Sequence, residues 1–208
     1  MKLIILVLSF FLVFGSTKAQ ITSSLPHTNT YCLKKLITEN LTELENKIVV
    51  LGKEKIFNVF IDSINDTLQN FFYNTLKDRL VQYNLVFNSV EPAEFKIYFS
   101  NLNIKTEYPT YRVENLIGNR YIVRVFTVKF IYKIIDTNKD SVLLSNSVKA
   151  KYQDKVLLDY IDYIQDQNLY FARAELPKIK FIDQYLVPTI MILISGLAIV
   201  LFFTIRSK

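Results

Sequence analysis

Residues 56–83 read IFNVFIDSINDTLQNFFYNTLKDRLVQY, and two periodicities meet inside that stretch. Ile56-Phe57-Asn58-Val59-Phe60-Ile61 is an aromatic and β-branched run suited to a buried strand. Ser63, Asn65 and Asp66 then offer helix caps. Beyond them Leu68, Phe72, Leu76, Leu80 and Tyr83 recur at three- or four-residue steps, with Phe71 widening the stripe. The expected reading is a strand followed by a helix over about 66–83. One long helix from Ile56 is the alternative, because Phe57, Phe60 and Ile64 also fit helical spacing.

Upstream, Leu33, Leu36, Ile37, Leu41, Leu44 and Ile48 predict a helix over about 31–46, preceded by a Ser/Thr-rich flexible leader at 20–30. Downstream of Glu91-Pro92 the texture is β. Residues 94–103 alternate with Phe95, Ile97 and Phe99 on one face, and 104–112, interrupted by Pro109, read as loop or edge strand. Residues 121–135 form a long strand that turns at Asp136-Thr137-Asn138-Lys139-Asp140 into 141–148, a hairpin. Residues 156–169 read as helical. Together these predict an α+β domain with one core helix on an antiparallel sheet and further helices before and after it.

The two ends predict a location. Lys2, the apolar stretch 3–15 and the small residues Thr17 and Ala19 form a signal-peptide pattern over 1–19. Residues 186–205 carry no charge and are followed by Arg206 and Lys208, which predicts one carboxy-terminal transmembrane helix with 206–208 as a cytoplasmic tail. Residues 31–185 then become a periplasmic domain held at a bacterial inner membrane. Ser195, Gly196 and Ala198 lack the four-residue spacing that draws two spans together, and nothing fixes an oligomeric state.

Composition excludes several activities. Of 25 lysines and arginines, Lys2, Lys18, Arg206 and Lys208 lie outside the domain, which leaves 21 against 19 acidic residues, a balance of +2 that argues against nucleic-acid binding. Four glycines cannot build a phosphate-cradling loop, and one histidine, His27, cannot supply a triad within the domain or a multi-histidine zinc site. Cys32, the single cysteine, permits no disulfide within the chain, which fits a bacterial periplasm better than a eukaryotic cell surface. Neither a catalytic constellation nor a cofactor or metal site is expected, and the chain reads as a non-enzyme.

Four motifs have both a functional and a plain reading. Asp159, Asp162 and Asp166 would share a helix face and could meet a divalent cation, but a helix spreads them over about 10 Å, which favours a solvated face. Lys149, Lys151, Lys155, Lys178 and Lys180 could meet anionic headgroups or be ordinary surface lysines. The 13 tyrosines suit carbohydrate or peptide binding, yet most fall in core and sheet patterns. Asn40-Leu41-Thr42 and Asn65-Asp66-Thr67 match a glycosylation acceptor at a frequency near chance.

The order of pieces over 56–148 resembles bacterial envelope lipoproteins of the lipopolysaccharide-assembly and curli-secretion types. The likeness is carried by Leu80-Val81-Gln82-Tyr83-Asn84-Leu85-Val86, by Ala93-Glu94-Phe95-Lys96-Ile97, and by Arg124-Val125-Phe126 leading through Asp136 to Val142-Leu143-Leu144-Ser145. It implies a role in envelope assembly or transport by binding an envelope protein or lipid, without catalysis. The chain departs from those families in lacking a lipidated cysteine and in its expected span, so no site residues carry over. An extracytoplasmic sensor or adhesion module for a small ligand or surface polymer is the competing expectation.

Overall fold

The structure, a computed structural model, describes residues 25–63, 65–90, 92–113, 119–178 and 181–206. The signal-peptide pattern at 1–19, the first part of the leader and the last two residues of the tail lie outside the described residues.

Helix α1 (Asn29–Glu39) starts where the Thr28 hydroxyl accepts the Tyr31 amide at 3.2 Å. The expected single helix divides at Asn40, whose side chain donates to the Leu36 carbonyl at 2.7 Å and closes α1 before α2 (Thr42–Leu51) begins. The predicted apolar stripe survives the break: Leu33, Leu36, Ile37, Leu41, Leu44 and Ile48 are all buried.

Strand β1 (Ile56–Ile61) and helix α3 (Asp66–Arg79) form where residues 56–83 predict them, which rules out one long helix from Ile56. Asn65 caps α3 by accepting the Leu68 amide at 3.0 Å, and Asp66 at the start with Lys77 and Arg79 at the end complement its dipole. The helix ends four residues early because the chain turns into a short strand, β2 (Asn84–Phe87), which pairs parallel with β1.

Three long strands follow: β3 (Phe95–Val113), β4 (Arg120–Asp136) and β5 (Ser141–Leu157). The sheet order is β2-β1-β3-β4-β5, with β1 parallel to both neighbours and the remaining pairs antiparallel. The expected antiparallel sheet is therefore a mixed one. The crossover through α3 makes its first pairing parallel, as a β-helix-β unit requires.

Pro109 does not end β3. It sits in the irregularity between Glu107 and Thr110, a place where a missing amide costs no ladder bond, and a second irregularity lies between Ser100 and Asn103, where Asn101 has φ +55°. Each adds one residue and reverses which parity faces inward. Inward positions run Phe95, Ile97, Phe99, then Ile104, Thr106, Tyr108. Asp136 makes the hairpin turn by accepting the amides of Asn138 and Lys139, and β5 continues nine residues past its expected end.

The expected helix over 156–169 is not formed. Val156 pairs with Ile122 in the ladder, and the chain then makes a 3-10 turn (Leu158–Tyr160), the single turn α4 (Ile161–Ile164) and a second 3-10 turn (Tyr170–Ala172). Ladder pairing of an inward valine wins over a helical spacing that has no surface to cover.

Helix α5 (Phe181–Arg206) covers the carboxy-terminal apolar stretch, but no helix among the described residues is long and apolar enough to cross a membrane. This overturns the expected single transmembrane span over 186–205.

Helices α1, α2 and α3 cover one face of the sheet. Phe72 of α3 lies at the centre, fully buried, with its ring 5.2 Å from Phe99 and 5.3 Å from Phe130 in edge contacts. Truncation to alanine leaves a cavity that the two remaining aromatic rings cannot close. Phe72→Ala is expected to lower unfolding free energy by about 3–5 kcal/mol in urea denaturation, whereas exposed Val81→Ala should change it by less than about 0.5 kcal/mol.

Candidate functional site

Inward positions of β4 run Ile122, Arg124, Phe126, Val128, Phe130, so an arginine occupies a core register. Arg124 is 1% exposed. Its cross-strand partner is Asp154 on β5, whose carboxylate accepts from Nε at 2.8 Å and from the terminal nitrogen Nη2 at 2.5 Å. Nη1 donates to the His27 carbonyl at 2.8 Å and to Asn29 Oδ1 at 3.0 Å, and Nη2 also faces Cys32 Sγ at 4.0 Å. All five guanidinium hydrogens thus have acceptors. Asn29, fully buried, passes the link on by donating to the Tyr108 hydroxyl and to the Ala172 carbonyl, both at 2.7 Å.

This cluster joins α1, all three long strands and the carboxy-terminal turn. Its groups are consumed by one another, which makes it a structural centre and leaves no reactive group free. Burial pushes the Cys32 thiol up, partly offset by the Arg124 charge, so the thiol is held in its unreactive form. Burial likewise raises the Tyr108 phenol. A second polar contact lies farther along the sheet, where the Tyr132 hydroxyl donates to Glu43 at 3.3 Å and Asn146 binds the same carboxylate. Burial raises the Tyr132 phenol too.

The opposite face of the sheet has a different character. Outward positions include Lys96 and Lys105 on β3, Lys129 and Lys133 on β4, and Lys149 and Lys151 on β5. Lys129 and Lys149 are direct cross-strand partners, and Lys105 and Lys151 flank Thr127 from its two sides. Glu107 is the carboxylate among them and pairs with Lys105 at 2.9 Å. Among the described residues, none of Lys96, Lys129, Lys133, Lys149 and Lys151 makes an ion pair. At one end of this face lies an open cavity of about 480 Å³ lined by Glu107, Pro109, Val125, Lys151, Ala174 and Glu175 together with Thr106 and Tyr108. The Thr106 hydroxyl is buried without a hydrogen-bond partner among the described residues.

The sequence-predicted candidates distribute as follows. Asp159 lies in a 3-10 turn, Asp162 in the single-turn α4, and Asp166 beyond it, where it accepts the Asn168 amide at 3.0 Å. They share no helix face, and the described residues contain no cluster of three metal-ligating side chains. Lys149, Lys151 and Lys155 stand on the outward face of β5, with Lys155 over the Tyr121 ring at 5.0 Å. Lys178 is not part of that face, and Lys180 lies outside the described residues. His27 stacks on Tyr31 at 4.2 Å and contributes its carbonyl to Arg124. Asn40 and Asn65, the glycosylation-pattern residues, both cap helices.

Sequence reasoning missed Arg124, Asp154, Lys96, Lys105, Lys129 and Lys133. The signal for the first two was present: an arginine in the inward register of a strand requires an acid, and the hairpin register supplies Asp154 opposite it.

No protein-family model matches the chain, and no curated protein matches it in sequence. Solved structures with partial likeness include a protein from Helicobacter pylori assigned as a homologue of a neuraminyllactose-binding hemagglutinin (9% identity, 52% of this chain and 67% of that one, TM-score 0.34). Others are a minor lipoprotein from Acinetobacter baumannii (13%, 50% and 67%, TM-score 0.29) and a lipoprotein from Neisseria meningitidis (11%, 69% and 99%, TM-score 0.29). At these TM-scores the likenesses assign the chain to no family.

Two outcomes follow for the buried cluster. Arg124→Lys keeps the charge but loses the planar fork, and should cost about 3 kcal/mol in urea denaturation at pH 7; Asp154→Asn should cost at least as much, since it leaves a guanidinium that is 1% exposed without its counter-charge. The raised Cys32 and Tyr108 groups bind their protons more tightly when folded. Their contribution is full below the unfolded values, about 8.5 and about 10, and is lost as pH rises through the folded ones. The urea midpoint should therefore fall above about pH 9, and Cys32 should resist alkylation until the chain unfolds.

Proposed function

We propose that this chain is a non-enzymatic accessory protein of the bacterial envelope that holds a partner on the outward face of its sheet. The observation that carries the reading is the direct pairing of Lys129 with Lys149 on a face where, among the described residues, five of seven lysines make no ion pair. Like charges directly opposite each other on a sheet destabilise it. A face that had only to be soluble gains nothing from that arrangement, whereas a face that meets an anionic partner does.

A periplasmic setting and a role in envelope assembly or transport are supported by the signal-peptide pattern at 1–19, by the single cysteine and by the family resemblance over 56–148. The buried polar groups support a non-catalytic role, because Arg124, Asp154, Asn29 and Tyr108 are engaged with each other. A second reading, a module that binds a small ligand, has one observation in its favour: the cavity of about 480 Å³ beside the unpartnered Thr106 hydroxyl.

Photocrosslinking in cells tests the first reading. Probes at Ser145 and Ser147, exposed on the outward face, should yield adducts with one envelope component, protein or lipid, while a probe at Lys34 on α1 should not. Adducts only with the chain itself, or none, would sink it. A ligand-dependent rise in thermal midpoint that Thr106→Val abolishes would favour the second.

A further inference from the structure

We infer that the outward face of β3, β4 and β5 docks on an anionic lipid surface through Lys96, Lys105, Lys129, Lys133, Lys149 and Lys151. The inference rests on the reading above that this face is the one that holds a partner, and it names the partner's chemistry.

Three observations select a lipid surface over other anions. The first is geometry. Cross-strand neighbours stand about 5 Å apart and successive outward residues about 7 Å apart along a strand, so the ammonium groups form a two-dimensional array on an open face. A linear polyanion needs a groove that tracks its backbone, and the cavity on this face lies at one end of the array and carries Glu107 and Glu175. The second is chemistry. Seven of the eight cations that the register puts on this face are lysines, compact point charges suited to a diffuse layer of headgroups, with Arg112 at the far end of β3 as the eighth, whereas bidentate recognition of single phosphates calls for arginines. Of the outward aromatics, Phe60 and Tyr98 are stacked on each other at 4.9 Å and the Tyr121 ring is covered by Lys155 at 5.0 Å, so they offer no open platform for bases.

The third is the distribution of charge. The domain carries +2, while the seven lysines of this face with Arg112, Glu107 and Glu175 carry +6, so the remainder of the domain is net acidic at −4. Such a dipolar body is turned by a charged plane so that one face meets it, although its net charge is close to zero. This also reconciles the modest overall charge with a strongly basic surface.

Amine labelling of the full chain, read residue by residue by mass spectrometry, tests the inference. Vesicles of 30% phosphatidylglycerol in phosphatidylcholine should slow acetylation of Lys129, Lys149 and Lys151 at least fivefold. Phosphatidylcholine alone should not, and 0.5 M NaCl should remove the effect. Lys34, Lys47 and Lys53 serve as internal controls. The K105Q/K129Q/K149Q/K151Q variant should lose the phosphatidylglycerol-dependent part of vesicle binding, on the order of 1,000-fold, with a thermal midpoint that is not lowered, since the Lys129–Lys149 repulsion is removed. Equal labelling in both vesicle types overturns the inference. Stronger protection by dextran sulfate than by the anionic vesicles at equal charge also overturns it, in favour of a linear polymer. A protein adduct at Ser145 or Ser147 without lipid protection leaves the accessory reading standing and removes only the lipid.

Discussion

The paired charge of Arg124 and Asp154 is the constraint on which the rest of the domain depends. A guanidinium that is 1% exposed loses its hydration, and the loss is offset only if every hydrogen finds an acceptor. Asp154 takes two, the His27 carbonyl and Asn29 take two more, and Cys32 faces the last. Meeting that demand positions the β4–β5 register, the entry into α1 and, through Asn29, the Tyr108 and Ala172 positions. A slip of one residue in the hairpin would carry Asp154 to the opposite face and leave the arginine buried alone, so the ion pair specifies the pairing more than it strengthens the fold.

The same register decides the other face. Once Arg124 and Asp154 point inward, Thr127, Lys129, Lys149 and Lys151 must point outward, because strand side chains alternate. The basic face is thus a consequence of the inward pairing and not a separate invention. What is not a consequence is the identity of the outward residues. Threonine or alternating glutamate and lysine would satisfy the sheet better than Lys129 against Lys149, and that excess of repulsion is the part of the molecule that fold stability leaves unexplained.

Much of this was legible in the sequence where periodicity is long and single. The apolar stripes of 31–48 and 66–80, the β1 run and the turn at 136–140 were found because each covers one buried face without interruption. Reading failed where the period breaks. The two irregularities in β3 reverse the inward parity twice, so 104–112, interrupted by Pro109, read as loop or edge strand apart from 94–103, where a single strand in fact continues to Val113. The four-residue β2 is too short for a pattern, and without it the parallel pairings disappeared and the sheet read as antiparallel. At the far end, Val156 and its neighbours have helical spacing as well as strand alternation, and only the partner strand decides between them.

The candidate site was less legible than the fold for a related reason. Lys149, Lys151 and Lys155 stood out because they are close in sequence, but Lys96, Lys105, Lys129 and Lys133 each look ordinary within their own strands. They become one surface only when three strands are set side by side in a known register, and the β3 irregularity between Ser100 and Asn103 is what puts Lys96 and Lys105, nine residues apart, on the same side. An undisturbed strand would place residues of opposite parity on opposite faces, sending one of the two lysines inward. A bulge that sequence reasoning takes for an interruption is therefore what assembles both surfaces: it turns Tyr108 toward Asn29 on one face and Lys105 toward Thr127 and Lys151 on the other.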